Sequence, residues 1–183
     1  HSHFMKMYYN EGISFHTTNA TQTAGANVFQ VGGTTNEKMR ISTTGVVTMP
    51  NQPAFRVFAG TSETTAAGGK APFNGVGFDN GNNYDTANRY YVAPVSGIYQ
   101  FNTYGNCNGV NNGAGIYAYW AVNGSRRGAF IYTVSNGSWN NVVGSITIAL
   151  AANDQVSVNA QSAMHWDYSA TDGWSSFSGH LIG

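Results

Sequence analysis

Charge is scarce in this chain. Only 9% of its 183 residues are Asp, Glu, Lys or Arg, and eight basic residues against eight acidic ones give a formal charge of zero. A nucleic-acid footprint needs clustered Lys and Arg; the single basic pair, Arg126-Arg127, reads as the solvated flank of a turn. There is one cysteine, Cys107, so no disulfide can form within the chain, and stability must come from packing or oligomerisation. No sequence neighbour of Cys107 supplies a base, so it reads as a small residue at a strand end rather than a nucleophile. No apolar run approaches the roughly 18 residues that a membrane-spanning helix requires, and membrane insertion is not expected. No segment sustains a helical period. Hydrolase signatures are missing too: there is no Gly-x-Ser-x-Gly elbow, His-Glu-x-x-His pair or Gly-rich phosphate loop. The acids Asp79, Asp85, Asp154, Asp167 and Asp172 are scattered, whereas a glycosidase needs two facing one cleft. No enzyme activity is expected.

What the chain has in quantity is glycine, 23 residues, and aromatic side chains, 14% of the total. With little charge, that composition points to an all-β, turn-rich protein kept soluble by Asn, Ser and Thr. Residues 1–4 read as the remnant of a purification tag. Residues 5–50 have short apolar clusters (Ile13 and Phe15; Val28, Phe29 and Val31; Met39 and Ile41; Val46 and Val47) between polar turns. Strand pieces of three to five residues cannot bury an apolar face alone, so identical copies from neighbouring chains are expected to supply the missing surface. Pro50 and Pro53 mark a boundary, and residues 51–183 form a second region, a head.

In the head, Ala54–Phe58 alternates as a strand, Phe73, Val76 and Phe78 are candidate buried anchors, and Asn88–Val92, Ile98–Tyr104, Ile116–Val122 and Gly128–Val134 read as further strands. Asn123-Gly124 is the strongest hairpin signal. Ile146, Ile148 and Leu150, then Val156 and Val158, alternate on either side of Asn153-Asp154; this predicts a half-buried antiparallel hairpin. Phe177, Leu181 and Ile182 end the chain on an apolar strand.

These words carry two resemblances. Residues 37–50, EKMRISTTGVVTMP, resemble the distal shaft of bacteriophage tail and head fibres. The head resembles the globular domain of complement component 1q, one of the tumour-necrosis-factor-like jelly rolls, through Phe73-Asn74-x-Val76-x-Phe78, Pro94-x-x-Gly97-x-Tyr99-x-Phe101, Asn123-Gly124, Asn153-Asp154-x-Val156 and Phe177-Ser178-Gly179-x-Leu181-Ile182. That resemblance implies a ten-stranded antiparallel jelly-roll β-sandwich assembling as a homotrimer on a fibrous stalk. The stalk here lacks the Gly-x-y period of collagen, which fits a viral fibre better than a complement protein.

Antiparallel strands alternate the connections between the two ends of the head. Counting back from the C-terminus puts the loops 106–113, 135–141 and 161–174 at the end away from the stalk. The minimal Asn123-Gly124 and Asn153-Asp154 turns fall at the stalk end. Trp139, Trp166, Asp167 and Tyr168 are the candidate binding residues of that far end. Exposed rings stack on sugars while polar groups read hydroxyls, although Trp139 and Trp166 read equally as core. Trp174, beside the closing strand, is expected in the core. The fold resemblance also allows calcium, with Asp167 and Asp172 as weak ligand candidates; no other cofactor is implied. The expected function is a virion fibre head that attaches to a host-surface receptor, a polysaccharide, with other fibre or baseplate proteins as partners. The alternatives are a structural trimerising head and a secreted lectin-like module of the same fold.

Overall fold

The computed structural model describes residues 5–8, 12–15, 27–30, 37–42, 44–109, 113, 115–129, 133–134, 139–169 and 173–183. The chain divides into two units, His1–Asn51 and Gln52–Gly183. Among the described residues there is no helix, and none therefore that is long and apolar enough to cross a membrane.

In the first unit, β1 (Met5–Tyr8) pairs antiparallel with β2 (Gly12–Phe15), and β3 (Asn27–Gln30), β4 (Glu37–Ile41) and β5 (Val47–Thr48) form a three-stranded meander. The β4–β5 turn closes through Gly45, whose φ of 81° suits a residue without a Cβ, and Ser42 Oγ accepts the Val46 amide at 3.0 Å. Val46, Val47 and Met49 are left half exposed.

The second unit begins with β6 (Ala54–Ala59), in which Phe55, Val57 and Ala59 face inward and the residues between them outward. It continues through β7 (Glu63–Thr65), β8 (Phe73–Asn80), β9 (Tyr84–Asp85), β10 (Tyr90–Val92), β11 (Gly97–Gly109), β12 (Gly115–Ile116) and β13 (Ala118–Val122). The remaining strands are β14 (Ser125–Ala129), β15 (Thr133–Val134), β16 (Asn140–Leu150), β17 (Gln155–Ala160), β18 (Met164–Trp166) and β19 (Ser175–Leu181). Ten of these strands make two five-stranded layers. One runs β14-β13-β17-β10-β9; the other runs β8-β6-β19-β11-β16, and β18, paired with the end of β11, and β7, paired with β18, bring it to seven. The jelly roll expected from the sequence is the fold observed.

Aromatic rings fill the space between the layers. Phe55 stacks on Tyr91 at 4.5 Å and meets Phe177 edge-on at 5.0 Å, and Tyr99 stacks on Phe101 at 6.0 Å. The close approach of β19 to these rings requires glycine, because a Cβ on Gly179 would stand 2.4 Å from Phe101.

Two sequence expectations are corrected. The strands on either side of Asn153-Asp154 form no hairpin: β16 pairs with β11 and β17 with β13 and β10, so the turn carries the chain from one layer to the other. Val76 and Phe78 are exposed rather than buried, while Phe73 is in the core. A bulge at Gly77 shifts the β6–β8 register so that Phe78 faces Arg56 on the outer side, and Val76, opposite core Val57, lies on the sheet edge. The expected Asn123-Gly124 hairpin forms, with φ of 50° and 76° at its two central residues; its return strand begins at Ser125, and residues 130–132 lie outside the described residues.

Candidate functional site

The registers sort the connections of the head into two ends. Ala54 lies opposite His180, Tyr99 opposite Leu181 and Gly97 opposite Leu150, so the head's first and last strands share one end. The Asn123-Gly124 and Asn153-Asp154 turns are at that same end. Asn123 Nδ2 donates to Asp154 Oδ1 at 2.7 Å, and the Gln155 amide donates to Asn123 Oδ1 at 2.9 Å. The Asn123 contact, and then the Ala151 amide, hold the Asp154 carboxyl below the ordinary carboxylate range.

At the far end, β11 is the organising strand. Its last residues pair on one edge with β16, Cys107 opposite Asn140, and on the other with β18, Cys107 opposite Trp166 and Asn108 opposite His165. Strand β18 pairs in turn with β7, His165 opposite Thr64. Backbone bonds anchor the chain beyond β18: Asp167 N donates to Asn106 O at 2.8 Å and Asn106 N to Trp174 O at 3.1 Å. Parts of the loops 106–113, 135–141 and 161–174 lie outside the described residues, Asp172 among them.

The candidate residues fare differently. Trp139, immediately before β16, is 47% exposed, and its ring centre lies 5.9 Å from that of His165. Trp166 is 0% exposed; its ring meets Phe73 edge-on at 5.5 Å, so it belongs to the core and has no face to offer a ligand. The reason is register: the inward positions of β11 and β7 flank it, and Gly105 leaves it room, since a Cβ there would come within 2.5 Å of the Trp166 ring. Asp167 is 8% exposed, and its Oδ1 accepts from Ser62 Oγ at 3.1 Å and from the Tyr168 amide at 2.8 Å. Tyr168 is half-buried. Trp174, expected inside, is 45% exposed, because its neighbour Ser175 takes the inward position at the start of β19.

Asp167 as placed does not fit calcium, and Asp172 lies outside the described residues. The Asp167 carboxylate is buried and already engaged, and among the described residues no group of three or more His, Cys, Asp and Glu side chains could hold a metal ion. Beneath the same end, Cys107 is fully buried; desolvation, and secondarily the Asp167 charge, push its thiol well above the ordinary range.

Sequence reading missed that His165, Thr64 and Asn108 lie in one row with Trp139 on the outward face of the seven-stranded layer. His165 Nδ1 and Thr64 Oγ1 share a hydrogen bond of 2.9 Å, 101 residues apart in sequence. Only the β7–β18 pairing reveals it, and the two short strands carry no strong alternation of their own.

The comparisons with known proteins agree with this architecture. The solved globular domain of zebrafish complement 1qA protein is 17% identical over 72% of this chain and 98% of its own, with a TM-score of 0.58. Murine APRIL at pH 5.0 is 11% identical, over 72% of this chain and 99% of its own, with a TM-score of 0.56. The Eiger TNF of S. frugiperda is 10% identical, over 72% of this chain and 94% of its own, with a TM-score of 0.55. At such identities the likeness is one of fold. No curated protein sequence gives a match. The family model for the C1q domain matches residues 54–182. Ten strands in two layers, the closing Phe-Ser-Gly-x-Leu-Ile strand and that match together make this chain a member of the C1q domain family.

Proposed function

We propose that the chain is the neck and head of a bacteriophage fibre, in which three copies assemble and attach the virion to a glycan on the host surface. The observation that carries this reading is the asymmetry of the head. One end has minimal turns clasped by Asn123 and Asp154; the other has long Asn- and Ser-rich loops with the exposed rings of Trp139 and Trp174. Loops on a rigid scaffold are where recognition resides. The words of residues 37–50 support a fibre neck, and the half-exposed Val46, Val47 and Met49 support a neck that needs partner copies to cover them.

Assembly of the head is supported by the outward face of the seven-stranded layer, where Ile98, Tyr104, Val143 and Phe78 are exposed in one copy. On this reading the protein is extracellular, on the virion, with other fibre or baseplate proteins behind it. Membership of the C1q domain family is equally compatible with a secreted ligand module; the neck sequence favours the fibre.

Binding rather than hydrolysis is supported by the employment of the described acids of the head. Glu63 is paired with Arg89 at 2.7 Å, and Asp79 accepts the Asn83 and Tyr84 amides at 3.1 and 2.8 Å. Asp85 accepts from Asn88 at 2.8 Å, Asp154 from Asn123, and Asp167 from Ser62. The test is adsorption of the purified chain to candidate host bacteria and competition by it against intact phage. Saturable binding that blocks adsorption is expected. A head that binds no cell and protects none leaves only the structural, trimerising role.

A further inference from the structure

We propose that the outward face of the seven-stranded layer carries an acid switch: protonation of His180, aided by His165, drives apart the copies that share this face. The inference rests on the assembly proposed above and adds its regulation. His180 is exposed on β19, where Phe177 and Gly179 turn inward and Ser176, Ser178 and His180 turn outward. It lies opposite Ala54 of β6 on one side and Gln100 of β11 on the other. Strand β19 is the middle one of the five that run β8-β6-β19-β11-β16, so a contact that covers this face covers His180. His165 stands on the same face at the far end, bonded to Thr64 at 2.9 Å.

Among the described residues, the ionisable side chains on this face are bases or a phenol. Arg56 of β6 lies opposite Ser178, diagonal to His180 and roughly 7–8 Å from it. From β11 the face presents Tyr104, whose hydroxyl donates to Asn141 at 2.9 Å; the outward positions of β8 and β16 hold no ionisable group. Gln100, the polar neighbour of His180, has its carboxamide committed to Ser145 and Thr147 of β16. The acids point elsewhere. Asp79 of β8 lies opposite core Phe55 and holds the Asn83 and Tyr84 amides. Glu63 of β7 lies opposite core Trp166 and is paired with Arg89. Asp167, beyond His165, is 8% exposed and engaged by Ser62. The terminal carboxylate belongs to Gly183 at the stalk-end edge, where the Gly183 carbonyl accepts the Ile98 amide at 2.6 Å. Gly173 lies against the Arg56 guanidinium, and its neighbour Asp172 is outside the described residues.

The sign of the pH effect follows. A free copy can charge both histidines in water. In the assembly a charged imidazole loses hydration against a face that is neutral or basic, beside Arg56, and three copies bring these cations to one shared contact. Assembly therefore favours the neutral imidazole and binds fewer protons than the separated copies do. Its strength is complete above the ordinary histidine range, about 6.5, and falls as pH drops through it. Each imidazole that must stay neutral weakens association by up to about 30-fold between pH 7.5 and 5.0. Asp154, whose folded pKa is below 3.8, stays ionised throughout that window.

The experiment follows the full chain by sedimentation over a concentration series at pH 7.5 and 5.0, at fixed ionic strength, with far-ultraviolet circular dichroism of the same samples. A three-copy species is expected at pH 7.5, with association at least roughly tenfold weaker at pH 5.0, an unchanged spectrum and full recovery on return to pH 7.5. His180→Gln should assemble like the parent at pH 7.5 and lose most of the acid response; adding His165→Gln should remove the rest. His180→Lys, with its charge fixed, should assemble at least roughly tenfold more weakly than the parent already at pH 7.5. Parent association equal within twofold at the two pH values, a full acid response in the double variant, parent-like assembly of His180→Lys at pH 7.5, or dissociation that comes with loss of the β spectrum would overturn the switch and leave the assembly reading intact. A chain that is monomeric at pH 7.5 at every concentration would remove the assembly reading and this inference with it.

Discussion

Replacing Trp166 by alanine separates a core tryptophan from a recognition tryptophan. The ring is wholly buried, edge-on to Phe73 at 5.5 Å, and packs against the bare backbone of Gly105. Truncating a buried Trp to Ala costs about 3–5 kcal/mol, transfer and cavity together. One contribution runs the other way. Among the described residues the Trp166 indole nitrogen is buried without a hydrogen-bond partner, and an unmet donor of that kind costs about 1–3 kcal/mol. Removing it returns part of the loss, so the net effect should fall near the lower end, about 3 kcal/mol. For a unit spanning residues 52–183, each kcal/mol moves Tm by about 3–5 °C, so a fall of roughly 10–15 °C is expected. Trp166→Phe removes the unmet donor and keeps a ring against Phe73; it should cost less than half as much. Scanning calorimetry at one protein concentration measures both, since Tm of an assembling protein depends on concentration. A Trp166→Ala fall below about 3 °C would refute the placement of this ring in the core, and so the assignment of Trp139, not Trp166, to the surface.

Other consequences are as direct. Gly179→Ala should destabilise by about 1–3 kcal/mol, because its Cβ would meet Phe101 at 2.4 Å and Phe55 at 2.9 Å; a urea titration with unchanged slope reads it. Cys107, buried and with its thiol pushed up in pKa, should resist a thiol reagent in the native protein at pH 8 and react fully in denaturant; rapid native labelling would contradict its burial. Asp154 has a folded pKa below its ordinary 3.8, so its contribution is complete above about pH 4 and is lost as pH falls through the folded value. Asp154→Asn should therefore melt less stably than the parent at pH 7, with the difference shrinking towards pH 2.

The strands themselves were legible from alternation, while the choice of partners was not. Phe55-x-Val57 and Tyr99-x-Phe101 write out an inward face residue by residue, and the observed burial follows them. The same alternation in Ile146–Leu150 and Val156–Val158 is silent about pairing. Two strands of one hairpin turn their apolar sides to the same face of one sheet; two strands of facing layers turn them towards each other across the core. Both arrangements give one pattern, and only the layer crossing at Asn153, with its φ of 72°, tells them apart. Phe78 was misread for a related reason: one extra residue at the Gly77 bulge reverses its side. At the tip, an aromatic residue in a loop announces its type but not its burial. Trp166, read equally as surface or core, is core, and Trp174, expected inside, is exposed, because β18 and the inward Ser175 are set by long-range pairing.

The account depends most on three copies sharing the outward face of the seven-stranded layer and the apolar residues of the neck. Sedimentation equilibrium of the purified full chain tests this directly. A single species of about three times the 19.5 kDa chain mass is expected, dissociated by Tyr104→Glu on that outward face. A monodisperse 19.5 kDa monomer, stable at micromolar concentration and unaltered by Tyr104→Glu, would contradict it.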